Sequence, residues 1–433
     1  MSNPYKLMMT IFCAALFFAG AGCKKDPTNV VIDTDPHLSL VAEDTTSTEL
    51  FLRLSFPAGS GGQMVSLTRD TSLIFTKYIA GDTLIVDVDL LPNHRYVYSA
   101  TIAGNTNRQI LSVSTRDTTS HDIQWQVSTF GIAYSYLYDV AIVNDTLAYA
   151  VGEIYTMDST GHLDNNAYNL LAFDGARWEK RKMLFANRYS GEPYPPLKSI
   201  LVEKEDKIYL SDGGSIETYN GSKMVVDISM NALLTGLIRK IGANDEGNLY
   251  AIGYNGSIVY FNGVAWQQIQ SGTTVNLNDI WCGSNSTAGQ DIALIAASNV
   301  FSSGEMKLLR IKNSNVDSIP WPMQDRRISS VWFTEHSPIF TAGGGVFSSR
   351  GFGKWHEHSL PLIYTTRIRG TDVNDIWTVG DFGIVAHYNG STWKVFDELR
   401  QSGLVNESVA VTKRLVIIVG RQNGLAYIIV GRR

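Results

Sequence analysis

Residues Thr366–Val395, TRIRGTDVNDIWTVGDFGIVAHYNGSTWKV, repeat the pattern of Ile238–Ile269, IRKIGANDEGNLYAIGYNGSIVYFNGVAWQQI. In both copies an aromatic residue (Trp377, Tyr250) stands three positions before a glycine (Gly380, Gly253). An Asn-Gly pair then ends at Gly390 and Gly263, and a tryptophan closes the unit at Trp393 and Trp266. Alternating apolar and polar residues between Gly and Asn-Gly turns predict short antiparallel strands joined by tight hairpins. A unit this small cannot bury its own apolar face, so it must stack on copies of itself.

Working outward, the position of Gly380 aligns with Gly152, Asp212, Gly253, Ala297, Gly343 and Gly420, at spacings mostly near the ~40–50 residues of a four-stranded blade. The copies are unequal. The first carries an insertion around Tyr155–Tyr168, and the second has Met224 where a tryptophan would stand. The fourth repeats the letters Asn-Asp-Ile-Trp at Asn278–Trp281 out of register. Ile123–Val127 reads as a strand without a body, with Trp125 in the place of Trp393, and the C-terminus supplies three strands (Ser408–Val411, Leu415–Gly420, Leu425–Val430) and stops. Joining the orphan strand to the incomplete last unit closes a ring and removes its exposed edges.

The sequence Asp375–Gly380 followed by His387–Trp393 resembles the short repeat of secreted bacterial β-propellers, and the resemblance covers residue 122 to the end. It implies a propeller of seven blades, with six or eight as alternatives, and it is silent on chemistry because that scaffold hosts many functions. In the repeat, Trp125, Trp178, Trp266, Trp355 and Trp393 recur once per blade, which predicts packing between blades rather than a sugar platform.

At the N-terminus, Lys6 precedes an apolar run, Leu7–Gly20, of leader length and too short to span a bilayer, and small residues then lead to Ala21-Gly22-Cys23. This resembles a bacterial lipoprotein signal, which implies cleavage before Cys23 and lipidation of its thiol; a plain secretory leader is the alternative. Residues 1–22 are read as the signal peptide and 23–36 as a flexible polar tether. Strand-like runs every ten residues or so from Leu38 to Thr115 predict a sandwich over residues 37–116. Within it, Leu90-Leu91-Pro92 followed by Tyr96 resembles the fibronectin type III signature, which implies a structural role for the Tyr96 hydroxyl at a strand corner. The fold class is therefore all-β, an immunoglobulin- or fibronectin-like sandwich followed by a propeller over residues 122–433.

The net charge of -5 over 433 residues announces no polyanion-binding surface and argues against nucleic acid as a partner. Of three cysteines only Cys282 lies in the body of the chain, where it reads as a small buried residue. Asp372–Asp375 and Asp158–Asn166 have calcium-type oxygens but fall at turns, where Asp and Asn are ordinary. His356 and His358 lack a third ligand, so no metal is assigned. No nucleotide fingerprint or nucleophile elbow is present, Gly343-Gly344-Gly345 being a strand-end turn, and neither a cofactor nor a catalytic residue is assigned.

One constellation is a candidate ligand site. Lys198, Lys240, Arg327 and Arg367 align at the starts of innermost strands, which line a propeller's channel, and together predict a cationic ring for an acidic glycan or other anion. The reading that follows is a non-catalytic, lipid-anchored envelope protein, held to a membrane (outer membrane preferred) and engaging a glycan or protein partner through propeller loops. A carbohydrate-active propeller (glycoside hydrolase, lyase or glycosyltransferase-like) and a structural subunit of an envelope complex are the alternatives.

Overall fold

The computed structural model describes residues 30–32, 38–57, 61–105, 108–185, 191, 193–285, 288–299, 305–323, 325–336, 338–349 and 354–433. The leader and Cys23 lie outside the described residues. The protein is all-β, and its only helical elements among the described residues are single 3-10 turns.

The N-terminal strands form two sheets. Ser39–Thr45, Leu50–Ser55 and Thr83–Asp87 make one; Arg108–Ser114, Arg95–Ile102, Gln63–Arg69 and Ser72–Ile79, in that spatial order, make the other. Alternating residues of both sheets, among them Leu40, Leu52, Leu54, Val65, Leu67, Tyr98 and Leu111, bury their side chains in one core between them. The backbone N–H of Leu91 donates to the Tyr96 hydroxyl at 2.8 Å, pinning the corner that enters Arg95–Ile102. Two details depart from the sequence reading. Val30–Ile32, inside the segment read as a free tether, pairs antiparallel with Arg108–Ser114 and occupies that sheet's edge. Ser72–Ile79, unread as a strand, is the opposite edge; most of its side chains face solvent, so burial imposes no strict alternation on it.

From Gln124 onward the described chain forms seven four-stranded antiparallel sheets. The innermost strands, in blade order, are Tyr136–Asn144, Ser199–Lys204, Ile238–Ala243, Leu277–Asn285, Ile328–Trp332, Thr365–Asp372 and Leu404–Val411. Each touches the next around the ring, and the last touches the first. The seventh sheet is composite: Gln124–Phe130 pairs with Leu425–Arg432, setting Val127 opposite Ile429 and Gln126 opposite Val430. The two ends of this region are thus hydrogen-bonded into one sheet, and no blade edge is left open at the junction.

Apolar side chains from facing sheets fill each inter-blade space. Tyr149, Val151 and Leu170 of the first blade meet Ile200, Ile208 and Leu210 of the second, and Leu137, Ala150 and Leu171 meet Ile417, Val419 and Ile428 of the seventh. The repeat tryptophans belong to this packing. Trp125 lies edge-on to Trp377 and Phe396 of the sixth blade, and Trp178, Trp266, Trp355 and Trp393 join the apolar clusters that hold Ile417, Tyr209, Leu294 and Phe340 of the neighbouring blades.

The repeat glycine has a local cause. In six blades the innermost strand bulges near its start, between Leu137 and Asp139 in the first and between Thr365 and Arg367 in the sixth. The bulge turns a carbonyl toward the second strand, and a Cβ at Gly380 would collide with that of Tyr364, as one at Gly253 would with Leu237. In the second blade Ser199 pairs with Ser211 as Lys240 pairs with Ile252, so Asp212 takes the position of Gly253. That innermost strand carries no such bulge near its start, so its partner need not be glycine.

The ring has two faces. Hairpins leaving the innermost strand and hairpins entering the outermost lie on one, where the sandwich docks onto blades 5 and 6. Arg116 donates to Asp372 Oδ2 at 2.7 Å and to the Thr45 carbonyl, His336 Nδ1 is 2.8 Å from Asp44 Oδ1, and Thr119 N donates to the Asn389 carbonyl. Residues 116–121, which join the sandwich to the propeller, are therefore fastened along blade 6. The opposite face carries the remaining loops and is called the free face below.

Candidate functional site: a plugged channel with two unlike mouths

Immediately after the bulge in six blades, and at the start of the unbulged strand of the second, one side chain per blade points at the ring centre: Asp139, Ser199, Lys240, Asp279, Ser330, Arg367 and Ser408. All are buried. Where the residue is an acceptor it takes the N–H of the next blade's innermost strand. Asp139 Oδ2 accepts from Ile200 at 3.0 Å, Ser199 Oγ from Ile241 at 3.2 Å, Asp279 Oδ2 from Val331 at 3.3 Å and Ser330 Oγ from Ile368 at 3.1 Å. Ser408 Oγ donates to Asp139 Oδ1 at 2.7 Å, which closes the belt across the junction of blades 7 and 1.

Lysine and arginine cannot accept, and their charges are met by the two carboxylates. Lys240 pairs with Asp139, Arg367 with Asp279, and Arg369, from the next inward position, binds Asp279 with Nη1 at 2.8 Å and Nη2 at 2.7 Å. Burial works to raise both Asp139 and Asp279, but the surrounding cations outweigh it and hold both below the usual carboxylate range. Burial, reinforced by the nearby guanidinium groups, brings the Lys240 ammonium down to about 8. Removing either partner of such a pair leaves a charge stranded in a dry site.

The belt divides the four cations of the candidate ring. Lys240 and Arg367 stand within it, buried and paired with carboxylates; Lys198 and Arg327 stand at the free-face mouth. The sequence-based ring took Lys198 one residue before Ser199 and Arg327 three residues before Ser330, whereas Lys240 and Arg367 are themselves the belt residues of their blades. Sequence reasoning also missed Asp139, Asp279 and Arg369. A usable signal exists: Asp139, Lys240, Ser330 and Arg367 lie thirteen residues before Gly152, Gly253, Gly343 and Gly380.

The free-face mouth is polar and aromatic. Lys198 Nζ lies 3.6 Å from the Tyr138 ring centre and 3.6 Å from Glu153, which also accepts from the hydroxyls of Tyr138 and Tyr155. Arg421 pairs with Glu407 at 3.1 Å and lies over Tyr136; Arg239 lies over Tyr254. Burial pushes the carboxyls of Glu407 and Asp381 upward, the latter against the pull of Arg421. Around this mouth the free-face loops expose large apolar side chains: Tyr134, Leu184, Leu237, Tyr254, Leu362 and Phe382. The sandwich-side mouth differs, opening into a cavity of about 280 Å³ walled by Ile142, Val202, Trp281, Cys282 and Val411.

The other candidates have structural partners. Asp375 accepts from Trp377 Nε1 at 3.0 Å, sits 3.1 Å from His387 Nε2 and pairs with Arg433, while its neighbour Asp372 binds Arg116. Asp158 caps its own hairpin through the N–H groups of Thr160 and His162. His358 bonds Ser348 Oγ at 3.0 Å and stacks on Phe340. Among the described residues no three His, Cys, Asp or Glu side chains are grouped to hold a metal ion.

No family model matches this chain, and no curated protein does. Solved structures do. The protein is similar to YCF48 bound to D1 peptide, with a TM-score of 0.53 at 15% identity over 72% of this chain and 98% of that one. It is also similar to the WD40 β-propeller domain of Doa1, with a TM-score of 0.51 at 13% identity over 71% of this chain and 97% of that one. At such identities the likeness concerns architecture alone, and with the sheet order above it makes the C-terminal part of this chain a β-propeller.

Proposed function

We propose that the protein is a lipid-anchored component of a bacterial cell envelope, in the outer membrane, whose propeller binds a protein partner through its free face. The apolar rim carries this reading. Six large side chains exposed on loops of one face, surrounding a mouth of Arg, Lys, Tyr and carboxylate groups, have the composition of a protein-binding surface, where aromatic and arginine anchors dominate. YCF48, a chain of this fold, was solved with a peptide bound. The strand order of the sandwich and the Tyr96 corner support a fibronectin type III-like module between anchor and propeller. Docking of that module on the opposite face leaves the rim unobstructed.

A photo-crosslinking residue placed at Phe382 or Tyr254 in the intact chain tests this in cells, with Val264, exposed on the sandwich side, as the comparison site. The expected result is a discrete crosslinked product from the two free-face positions only, reduced about tenfold by Leu237→Glu. Equal products from all three positions, or none from the first two, would sink the reading. A second reading, a carbohydrate-active enzyme, is favoured by one observation: Asp381 and Glu407 both have raised carboxyls at the same mouth. Turnover of an acidic glycan that disappears in Asp381→Asn would replace the binding proposal with that one.

A further inference from the structure

The belt contains two carboxylates, Asp139 and Asp279, and three cations, Lys240, Arg367 and Arg369, all buried. On its free-face side Glu407 pairs with Arg421 and also acts on Arg367, and including that pair adds one charge of each sign. The layer therefore carries an excess of one positive charge in a site from which water is largely excluded, where an unmatched charge is costly. Two of the three cations, Lys240 and Arg369, are also wall residues of the cavity on the sandwich side. Above them the walls are apolar: Ile142, Val202, Trp281 and Val411 close around the space, and Gly242 keeps it open because a Cβ there would press on Ile280 and Cys282. The floor is cationic and the sides are greasy. At about 280 Å³ the cavity is at the small end of the ~300–1,000 Å³ of ordinary ligand sites.

We propose that this cavity binds a small anionic amphiphile, a carboxylate bearing an acyl chain of about six to ten carbons, at roughly 30 Å³ per small group. The head group meets Lys240 and Arg369 and supplies the missing negative charge, and the chain lies against the apolar edges of the innermost strands. Trp281 serves both halves, since its ring faces the Arg369 guanidinium at 4.9 Å and its edge lines the cavity. The site is separate from the free-face mouth, because the belt lies between them.

Cys282 lines the cavity; burial pushes its thiol upward and slows its reaction, so relative rates over long exposure report on occupancy. The intact protein is treated with methyl methanethiosulfonate in the presence of decanoate, 1-decanol or decyltrimethylammonium, each below its micellar concentration, and modification of Cys282 is followed by peptide mass spectrometry. Decanoate is expected to slow the reaction at least fivefold, the alcohol less than twofold, and the cation not at all. Protection by none of the three overturns the proposal, as does equal protection by acid and alcohol, which would make the belt charge irrelevant. Ala410→Phe, at the half-buried rim, should abolish the protection by decanoate; persistence of protection in the folded variant also refutes the site. Should that variant not fold, the order of the three ligands on the unaltered protein still decides.

Discussion

Replacing Asp139 with asparagine tests the belt most directly. The change preserves shape and leaves an acceptor for the Ile200 N–H or the Ser408 hydroxyl, but it removes the counter-charge of Lys240, a group with almost no exposure. Breaking one side of a buried ion pair typically costs about 3–5 kcal/mol. The retained hydrogen bonds and the ability of Lys240 to shed its proton place the expectation for Asp139→Asn near the lower end, about 3 kcal/mol. All nine tryptophans lie between Trp125 and Trp393, so tryptophan fluorescence during urea unfolding reads the propeller without interference from the sandwich. The midpoint should fall with little change in slope. Pairing the change with Lys240→Met, which removes the stranded charge, should recover at least half of the loss. A single variant within about 1 kcal/mol of the parent, or a double variant less stable than the single, would refute the claim that this pair is the electrostatic tie across blades 1 and 3.

Three further outcomes are expected. Glu217 is buried with Oε2 unpaired, and burial pushes its carboxyl up to about 8, so the folded protein keeps a proton that the unfolded chain loses near the ordinary glutamate value. Stability contributed by this group therefore falls as pH rises from about 4.5 to 8, and Glu217→Gln should unfold at a higher temperature at pH 8 and flatten that slope, by roughly 3–5 kcal/mol at most. His121 and His387 touch through their Nδ1 atoms at 2.9 Å; burial and the nearness of His387 bring His121 down to about 4, and burial lowers His387 too. The unfolded chain takes up protons below pH about 6.5 that this pair refuses, so stability drops as pH falls from there toward 4, and His121→Gln should shrink the drop in an acid thermal-melt series. His336, raised chiefly by its hydrogen bond to Asp44, acts in the opposite direction and loses its contribution as pH rises through its folded value. Gly380→Ala should destabilise by about 1–3 kcal/mol in urea titration, because the added methyl meets the Tyr364 backbone carbonyl.

Much of the architecture is legible in the chain itself. The repeat of aromatic, Gly, Asn-Gly and Trp is a consequence of local backbone demands, a close carbonyl at Gly380 and positive φ at Gly390 and Gly263, so it survives in the letters of a single sequence. Blade 2 shows the limit. Without the bulge the constraint on glycine disappears, and Asp212 stands where most other blades have it. Blade 4 shows it again, because Asn278–Trp281 lies on an innermost strand and Asn374–Trp377 begins the move into a second strand.

Local pattern thus determined that this chain builds four-stranded units and that its tail lacks a strand. Tertiary structure alone decided which charges meet. Asp139 and Lys240 are separated by two blades, and Asp279 and Arg369 likewise; they converge because seven sheets radiate from one axis and a one-residue bulge turns their side chains toward it. Coulombic partnership depends on that convergence and on the dry surroundings that strengthen it, neither of which leaves a periodic trace in sequence.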